Sequence, residues 1–486
     1  MAVNSRVDPV ETKEVKRSTK TFVLIAACIA QLLVILDSTV LNVALPAIGN
    51  SLHFTEQNLH LVINAFTVPF AGLLLLSGRL ADLFGARNIF VIGAGLVLVA
   101  SLIGGTAASA EVLVAARIFQ GVGSAAMAPA ALALIVGIFR DKAERGKALG
   151  LWGAAAGGGG ALGVLLGGVL VEYASWHWAL LMNVPVCVYL LFSGLKYIPN
   201  VKAETTNRVD IFGGVLVTLF LAISVTALAS SSIGRLSTTL LWVAAAVALV
   251  LFLANEVWWT RHPIVPIALL RSSGVIMPSL VLLLGGAALA STFYFLTLTY
   301  QNVRGYSAME TGLAYLPLSL TCFVGAGLGS VGVAKFGGRL SMIAGALLCT
   351  IGLVGFASTM NSEYWQSYLW WSLVFGFGVG IIITATATSA TDSSAVEMQG
   401  ITSGLLSTSQ HLGGALGLAA LVGVTVQSIG LGVEDPAAHA AAYSIAFMCC
   451  AGFAVVAALV ALLVPSQNAD KGFPGRLSAR AKAAAG

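Results

Sequence analysis

Three ionisable side chains stand where hydrocarbon would surround them. Asp37 lies in an apolar run from about Thr21 to Ile48, Arg117 in a run over 112–138, and His411 in a run over 401–428. Of the 20 acidic residues, only Asp37 is deep in such a run. An ionised group at the centre of a bilayer costs at least about 2.5 kcal/mol even on the mildest insertion scale, so a chain that keeps one pairs it or uses it. Burial favours the neutral form of a carboxyl group, whereas a nearby cation or water favours the carboxylate. A carboxyl pulled both ways can take up and release a proton as its surroundings open to one side and then the other. Asp37 is therefore a candidate proton carrier, and the competing reading is a structural carboxylate paired with Arg117. Arg117 keeps its own proton and can act by biasing the charge of a neighbouring site or by holding Gln120 and backbone carbonyls. His411 is a third coupling candidate because imidazole titrates near neutral pH; its other reading is a hydrogen-bonded packing residue.

Positioning these groups requires a membrane-embedded bundle. The chain is 58% hydrophobic and only 9% charged, against about a quarter charged in a soluble domain. Fourteen apolar runs are long enough to span, at about 20 residues each. They lie near 21–48, 58–77, 88–108, 112–138, 148–171, 177–199, 210–230, 238–257, 274–300, 309–332, 339–358, 366–390, 401–428 and 441–465. If both termini are cytoplasmic, 22 of the 25 Lys and Arg fall in inner connections, Arg117 stays in the membrane, and only Arg235 and Arg304 lie outside. That asymmetry is what basic retention on the cytoplasmic side produces. The net charge of +5 is spread over many short connections, which argues against a nucleic-acid partner. The six cysteines all fall within apolar runs without disulfide or metal-ligand spacing, and read as small packing residues.

An internal echo accompanies this pattern. Gly78–Arg87 reads G-R-L-A-D-L-F-G-A-R after the second run, and Ser330–Arg339 reads S-V-G-V-A-K-F-G-G-R after the tenth. Duplicated halves with a substrate site between them are a recurrent transporter plan. The expected divisions are a cytoplasmic tail over 1–20, an N-terminal half over 21–200, a linker with two extra helices over 201–272, a C-terminal half over 273–465 and a second cytoplasmic tail over 466–486.

The Gly78–Arg87 turn resembles the signature between the second and third spans of the major facilitator superfamily. Leu36–Pro46 (L-D-S-T-V-L-N-V-A-L-P) resembles the first-span signature of its fourteen-span drug:proton antiporter branch, and Arg117–Gly123 (R-I-F-Q-G-V-G) its fourth-span R-x-x-Q-G-x-G. Further matches are Trp176–Pro185, Pro263–Arg271, Tyr300-Gln301 with Gly305, Gly312 and Pro317, and Ser403–Ala420. Departures are Leu61 and Phe66 where tryptophan and tyrosine are usual, His177 for arginine, Gln410-His411 for Arg-Gln, and Val164 for the proline of the fifth-span antiporter signature.

The resemblance implies an all-α major facilitator fold: two six-helix halves plus two extra central helices. It implies a proton-coupled exporter of small amphipathic compounds, antibiotics among them, working in the cell membrane by alternating access. Gly78, Arg79, Asp82, Gly85 and Arg87 would latch the halves on the cytoplasmic side, with Asp82 facing a helix N-terminus of the other half. Gly159, Gly163, Gly167 and Gly168 would belong to the antiporter-type helix, although dense glycine also serves close helix packing. Asn42, Gln120, Phe293, Tyr294, Tyr300 and Gln410 would line the substrate path, since aromatic walls with few fixed polar groups suit varied amphipathic molecules. The expected partners are that small substrate, protons and lipid; no cofactor or metal is expected, and a monomer suffices. The competing readings are uptake or metabolite export by the same fold. A membrane enzyme is disfavoured because no nucleophile–base pair or metal cluster occurs beside a span. No phosphate-binding loop and no filter-like motif or charge ring is present, which argues against an ATP-driven pump and a channel.

Overall fold

The computed structural model describes residues 17–139, 141–199, 210–229, 235–260, 264, 266–360, 362–395, 398–429 and 435–465. Most of both tails, the linker segment 201–209, and Arg140, Arg208 and Arg261 of the charge count lie outside the described residues. Among the described residues, fourteen helices are long and apolar enough to cross a membrane, the sixth once the one-turn segment Trp178–Leu181 that precedes it is included, so the chain is a multi-pass membrane protein. In order they are α1 (Arg17–Leu52), α2 (Leu61–Phe84), α3 (Ala86–Gly105), α4 (Ala110–Ile138), α5 (Lys142–Tyr173), α6 (Asn183–Lys196) and α7 (Ile211–Ala229). There follow α8 (Arg235–Ala254), α9 (Ser273–Leu298), α10 (Ala308–Phe336), α11 (Gly338–Ser358), α12 (Leu369–Asp392), α13 (Gln399–Ile429) and α14 (Pro436–Ala461). Every apolar run of the sequence becomes one of them.

Polar residues decide where several helices begin. Ser109 accepts from the Val112 amide to start α4, Ser307 and Glu310 form a reciprocal capping box at α10, and Asp435 precedes the first-turn Pro436 of α14. Each satisfies amides that a helix start leaves orphaned. The sequence echo is also a structural one. Gly85 (φ 88°) joins α2 to α3 and Gly337 (φ 84°) joins α10 to α11, a left-handed turn that glycine adopts without a Cβ clash.

Helices α1–α6 form one half, with α1 on α5 and α4 against α2 and α3; α9–α14 form the other, with α10 on α12 and α9 on α13. The halves meet along two main seams, α2 against α13 and α5 against α10. With an even number of crossings, the start of α1 and the end of α14 lie on one face of the bundle. At the opposite, distal face the Gln301 amide donates to the Val43 carbonyl at 2.9 Å, and Glu172 accepts from the Ala308 amide at 3.1 Å. The inserted helix α7 packs against both α2 and α13, where Val68, Ala71, Leu221, Val225, Ala415 and Ala419 form their own apolar cluster.

Candidate functional site

A helix packed on four sides has no water for a carboxylate, so Asp37 must find its partners on neighbouring helices. It is 3% exposed, and Arg117, 1% exposed, reaches it from α4. Guanidinium Nη1 donates both to Asp37 Oδ2 and, at 2.8 Å, to Gln120 Oε1. Nε donates to the Val62 carbonyl of α2 at 3.1 Å. The guanidinium also lies 4.5 Å from the centre of the Phe66 ring, a cation–π contact that a phenylalanine supplies as well as a tyrosine. Gln120 follows Arg117 by three residues and so shares its helix face. Its Nε2 donates to Ser101 Oγ of α3 at 2.8 Å and lies 3.5 Å from Asp37 Oδ1.

The fifth member is one the sequence reading does not single out. Asn183, at the first turn of α6, is fully buried and donates Nδ2 to Asp37 Oδ1 at 2.6 Å. It stands within the matched stretch Trp176–Pro185, and a polar side chain inside an apolar run was the available signal. The network thus draws on five helices, of which α4 and α6 reach the α1 carboxylate directly. Of the two ion pairs seen among the described residues, Asp37–Arg117 is the buried one; Lys20–Glu144, at 2.5 Å, is half-buried at the lysine and exposed at the glutamate.

The remaining candidates fall in separate places. His411 on α13 lies 4.8 Å edge-on from Phe70 of α2, at the seam between halves. Asn42 donates to the Ser38 carbonyl at 2.9 Å, and its own Oδ1 is buried without a hydrogen-bond partner. Phe293 stacks on Tyr315 at 5.2 Å, and Tyr294 meets Phe295 edge-on. Tyr300 is fully buried among Tyr306, Tyr315, Tyr364 and Tyr368, with ring centres 5.7–6.2 Å away. Gln410 lines a small apolar cavity with Gly286, Cys349, Phe375 and Ile382. Gln120 lies in the ion-pair network, while Phe293, Tyr294, Tyr300 and Gln410 belong to the other half.

The glycines of α5 explain how α1 comes so near. A Cβ on Gly159 would stand 3.1 Å from Ile35, one on Gly163 would overlap Thr39, and one on Gly167 would stand 3.0 Å from the Val40 carbonyl. These positions recur every four residues and form one face against α1. Gly168 instead faces α10, its Cβ position 2.9 Å from the Ala308 carbonyl. The carbonyl of Val164 is approached in the same way, 2.6 Å from a Cβ built on Gly312.

At the turn, Gly78 has room to spare, its nearest neighbour Pro129 lying 3.9 Å from a built Cβ. Arg79 is half-buried and Asp82 exposed. Arg87 donates to the carbonyls of Gly194 and Leu195, at 2.9 and 2.6 Å, at the C-terminal end of α6, where carbonyls lack helical partners and a cation is favoured. It therefore fastens α3 to α6 within one half.

The family model described as Major Facilitator Superfamily matches residues 27–418. The chain is similar to the cephamycin export protein of Amycolatopsis lactamdurans, 36% identical over 462 residues and covering 93% of each chain. It is also similar to a puromycin resistance protein of Streptomyces alboniger, 36% identical over 408 residues, covering 82% of this chain and 80% of that one. Among solved structures, an auto-inhibited POT family peptide transporter superposes with a TM-score of 0.70 at 14% identity, over 92% of this chain and 96% of that one. At that identity the likeness concerns the fold.

Proposed function

This chain belongs to the Major Facilitator Superfamily, and from that premise we propose that it is a drug:proton antiporter, exporting small amphipathic compounds across the cell membrane with both termini in the cytoplasm. The observation that carries the proposal is the occluded Asp37–Arg117 pair, closed off by Gln120, Asn183 and Ser101. Such a pair is costly to bury and weak as a stabilising device, so a coupling role accounts for its presence better than structure alone does. Its relatives supply the cargo class, since they are named for cephamycin export and for puromycin resistance.

Asp37 is the proton carrier. As a carboxylate it holds Arg117; once protonated it releases that guanidinium, and the network exists in two charge states. Binding of a proton on one side and its release on the other then bias which of two arrangements of the halves is populated. The substrate path runs between the halves, past Asn42 and the Phe293, Tyr294, Tyr300 and Gln410 positions. Support comes from the buried Asn42 Oδ1, which has no hydrogen-bond partner, a polar atom that a bound molecule can satisfy when the halves part. His411 is a secondary coupling candidate at the seam. The Gly78–Arg87 turn acts as a conformational latch without touching substrate.

The test is Asp37→Asn, which keeps size and fixes the group neutral. In energised inverted vesicles the variant is expected to insert, to lose uphill accumulation and substrate-induced proton release, and to retain downhill exchange. Uphill accumulation by the variant would assign Asp37 a structural role and move attention to His411.

A further inference from the structure

The ionised carboxylate uses only half of what Asn183 offers. Its Nδ2 donates to Asp37 Oδ1 at 2.6 Å and lies 3.4 Å from Ser101 Oγ, while its own Oδ1 is buried with no hydrogen-bond partner. An amide oxygen orphaned at full burial carries its whole desolvation penalty with nothing to offset it, which a site this well packed would be expected to avoid unless another state satisfies it. Protonation of Asp37 creates the missing donor. A carboxylic acid and a primary amide pair in a ring, acid O–H to amide oxygen and amide N–H to acid carbonyl. The carboxylate can accept only the second of these bonds.

We propose that Asn183 is the positioning residue that reads the protonation state of Asp37. This rests on Asp37 being the proton carrier. In the ionised state Oδ2 is held by Arg117 and Oδ1 by Asn183. A proton taken from water adds to Oδ2, the ion pair with Arg117 parts, and the new O–H turns to Asn183 Oδ1 while Nδ2 stays on Asp37 Oδ1. No other covalent bond changes. Arg117 keeps Gln120 Oε1 and the Val62 carbonyl, so its charge remains hydrogen-bonded after release.

The surroundings leave few competitors for that proton. Among the described groups facing Asp37, Arg117 on α4 is the charged one, and the Cys187 thiol on α6 lies one turn from Asn183 within Coulombic reach. Helix α2 presents the Val62 carbonyl and α3 the Ser101 hydroxyl, with α5 contributing the glycine face. Just past the end of α9, Gln301 is bonded to Val43, further along α1.

Asn183→Leu and Asn183→Asp, run beside Asp37→Asn in proteoliposomes, test the assignment by the pH dependence of substrate-induced proton release. Leucine of similar volume removes both bonds. The carboxylate loses one charge-assisted bond, whereas the acid loses two neutral ones, each about half as strong, and the orphaned oxygen that disfavours the ionised state is gone, so the midpoint of release is expected to move to lower pH by about one unit, with downhill exchange retained. Aspartate is isosteric and places a second carboxyl beside the first, so release is expected to split into two steps as the pair shares a proton. Should the leucine variant fail to insert, the aspartate variant decides alone. A leucine midpoint that is unchanged or moved to higher pH, or an unchanged single midpoint in the aspartate variant, overturns the inference while leaving the carrier role intact if Asp37→Asn has lost coupling. Uphill export by Asp37→Asn overturns the carrier role, and the inference with it.

Discussion

At the scale of single residues, the pair Asp37–Arg117 makes opposite demands on its two members. Removing the cation leaves a buried carboxylate alone, and breaking a buried pair in this way costs about 3–5 kcal/mol. Removing both charges returns most of that. Arg117→Met is therefore expected to lower the thermal midpoint of the detergent-solubilised protein sharply. The double variant Asp37→Asn, Arg117→Met should recover at least half of the loss, although it cannot couple. A double variant as unstable as the single one would show that Arg117 stabilises through Val62, Gln120 and Phe66 rather than through Asp37. This pairing was legible in the sequence because charges deep in apolar runs are so few that they must meet. Asn183 and Ser101 were not, because a neutral polar residue costs little in a helix and many such residues are scattered through the runs. Gln120 was placed on the substrate path, but its spacing from Arg117 fixes it to the same helix face and draws it into the ion-pair network in this conformation.

At the scale of elements, the glycine run of α5 divides into two kinds that sequence alone cannot separate. Gly159, Gly163 and Gly167 admit α1, whereas a Cβ on Gly160 would meet nothing within 4 Å. Gly163→Val forces α1 and α5 apart beside Asp37, an overpacking that costs about 1–3 kcal/mol. It is expected to cut export at least tenfold, while Gly160→Ala leaves export within about twofold, as read by efflux rate at matched expression. Equal rates would mean that the close approach of α1 is not needed for cycling. The echo between the two halves was legible as four residues, and its physical content is the pair of left-handed glycines at 85 and 337. What the sequence did not disclose is the division of labour at the first of these turns. Arg87 holds α6 in its own half, while Asp82 is exposed beside Arg79, where the proposed latch would have it face a helix N-terminus of the other half. Asp82→Asn is accordingly expected to slow turnover several-fold with equilibrium substrate affinity nearly unchanged, because it shifts the populations of the two arrangements and not the site itself. Turnover and affinity measured together check this; a large affinity loss at normal turnover contradicts it.

At the scale of the whole molecule, the charge inventory of the bundle sets what can be exchanged. The buried pair is neutral overall, and on the proposed antiport its one carboxylate takes up one proton per cycle. Export of a neutral compound then carries one positive charge inward, export of a monocation is electroneutral, and export of a dication moves one positive charge outward. Among the described residues of the two halves, Asp37 is the one buried carboxylate, so the second charge of a dication would be left uncompensated in a medium of low dielectric constant. The membrane potential sharpens the same ranking, since about 100 mV is worth roughly 2.3 kcal/mol per charge. That energy drives the neutral cargo, leaves the monocation unaffected and opposes the dication. With a fixed pH difference across proteoliposomes, collapsing a potential of about 100 mV with valinomycin and potassium should reduce the steady-state gradient of a neutral substrate by up to about 50-fold, the factor that 2.3 kcal/mol represents. The gradient of a monocationic analogue should not move. Equal sensitivity of the two, or export of a matched dication as efficient as that of the monocation, would require more than one proton per cycle and hence a second titrating group besides Asp37, for which His411 at the α2–α13 seam is the residue in place.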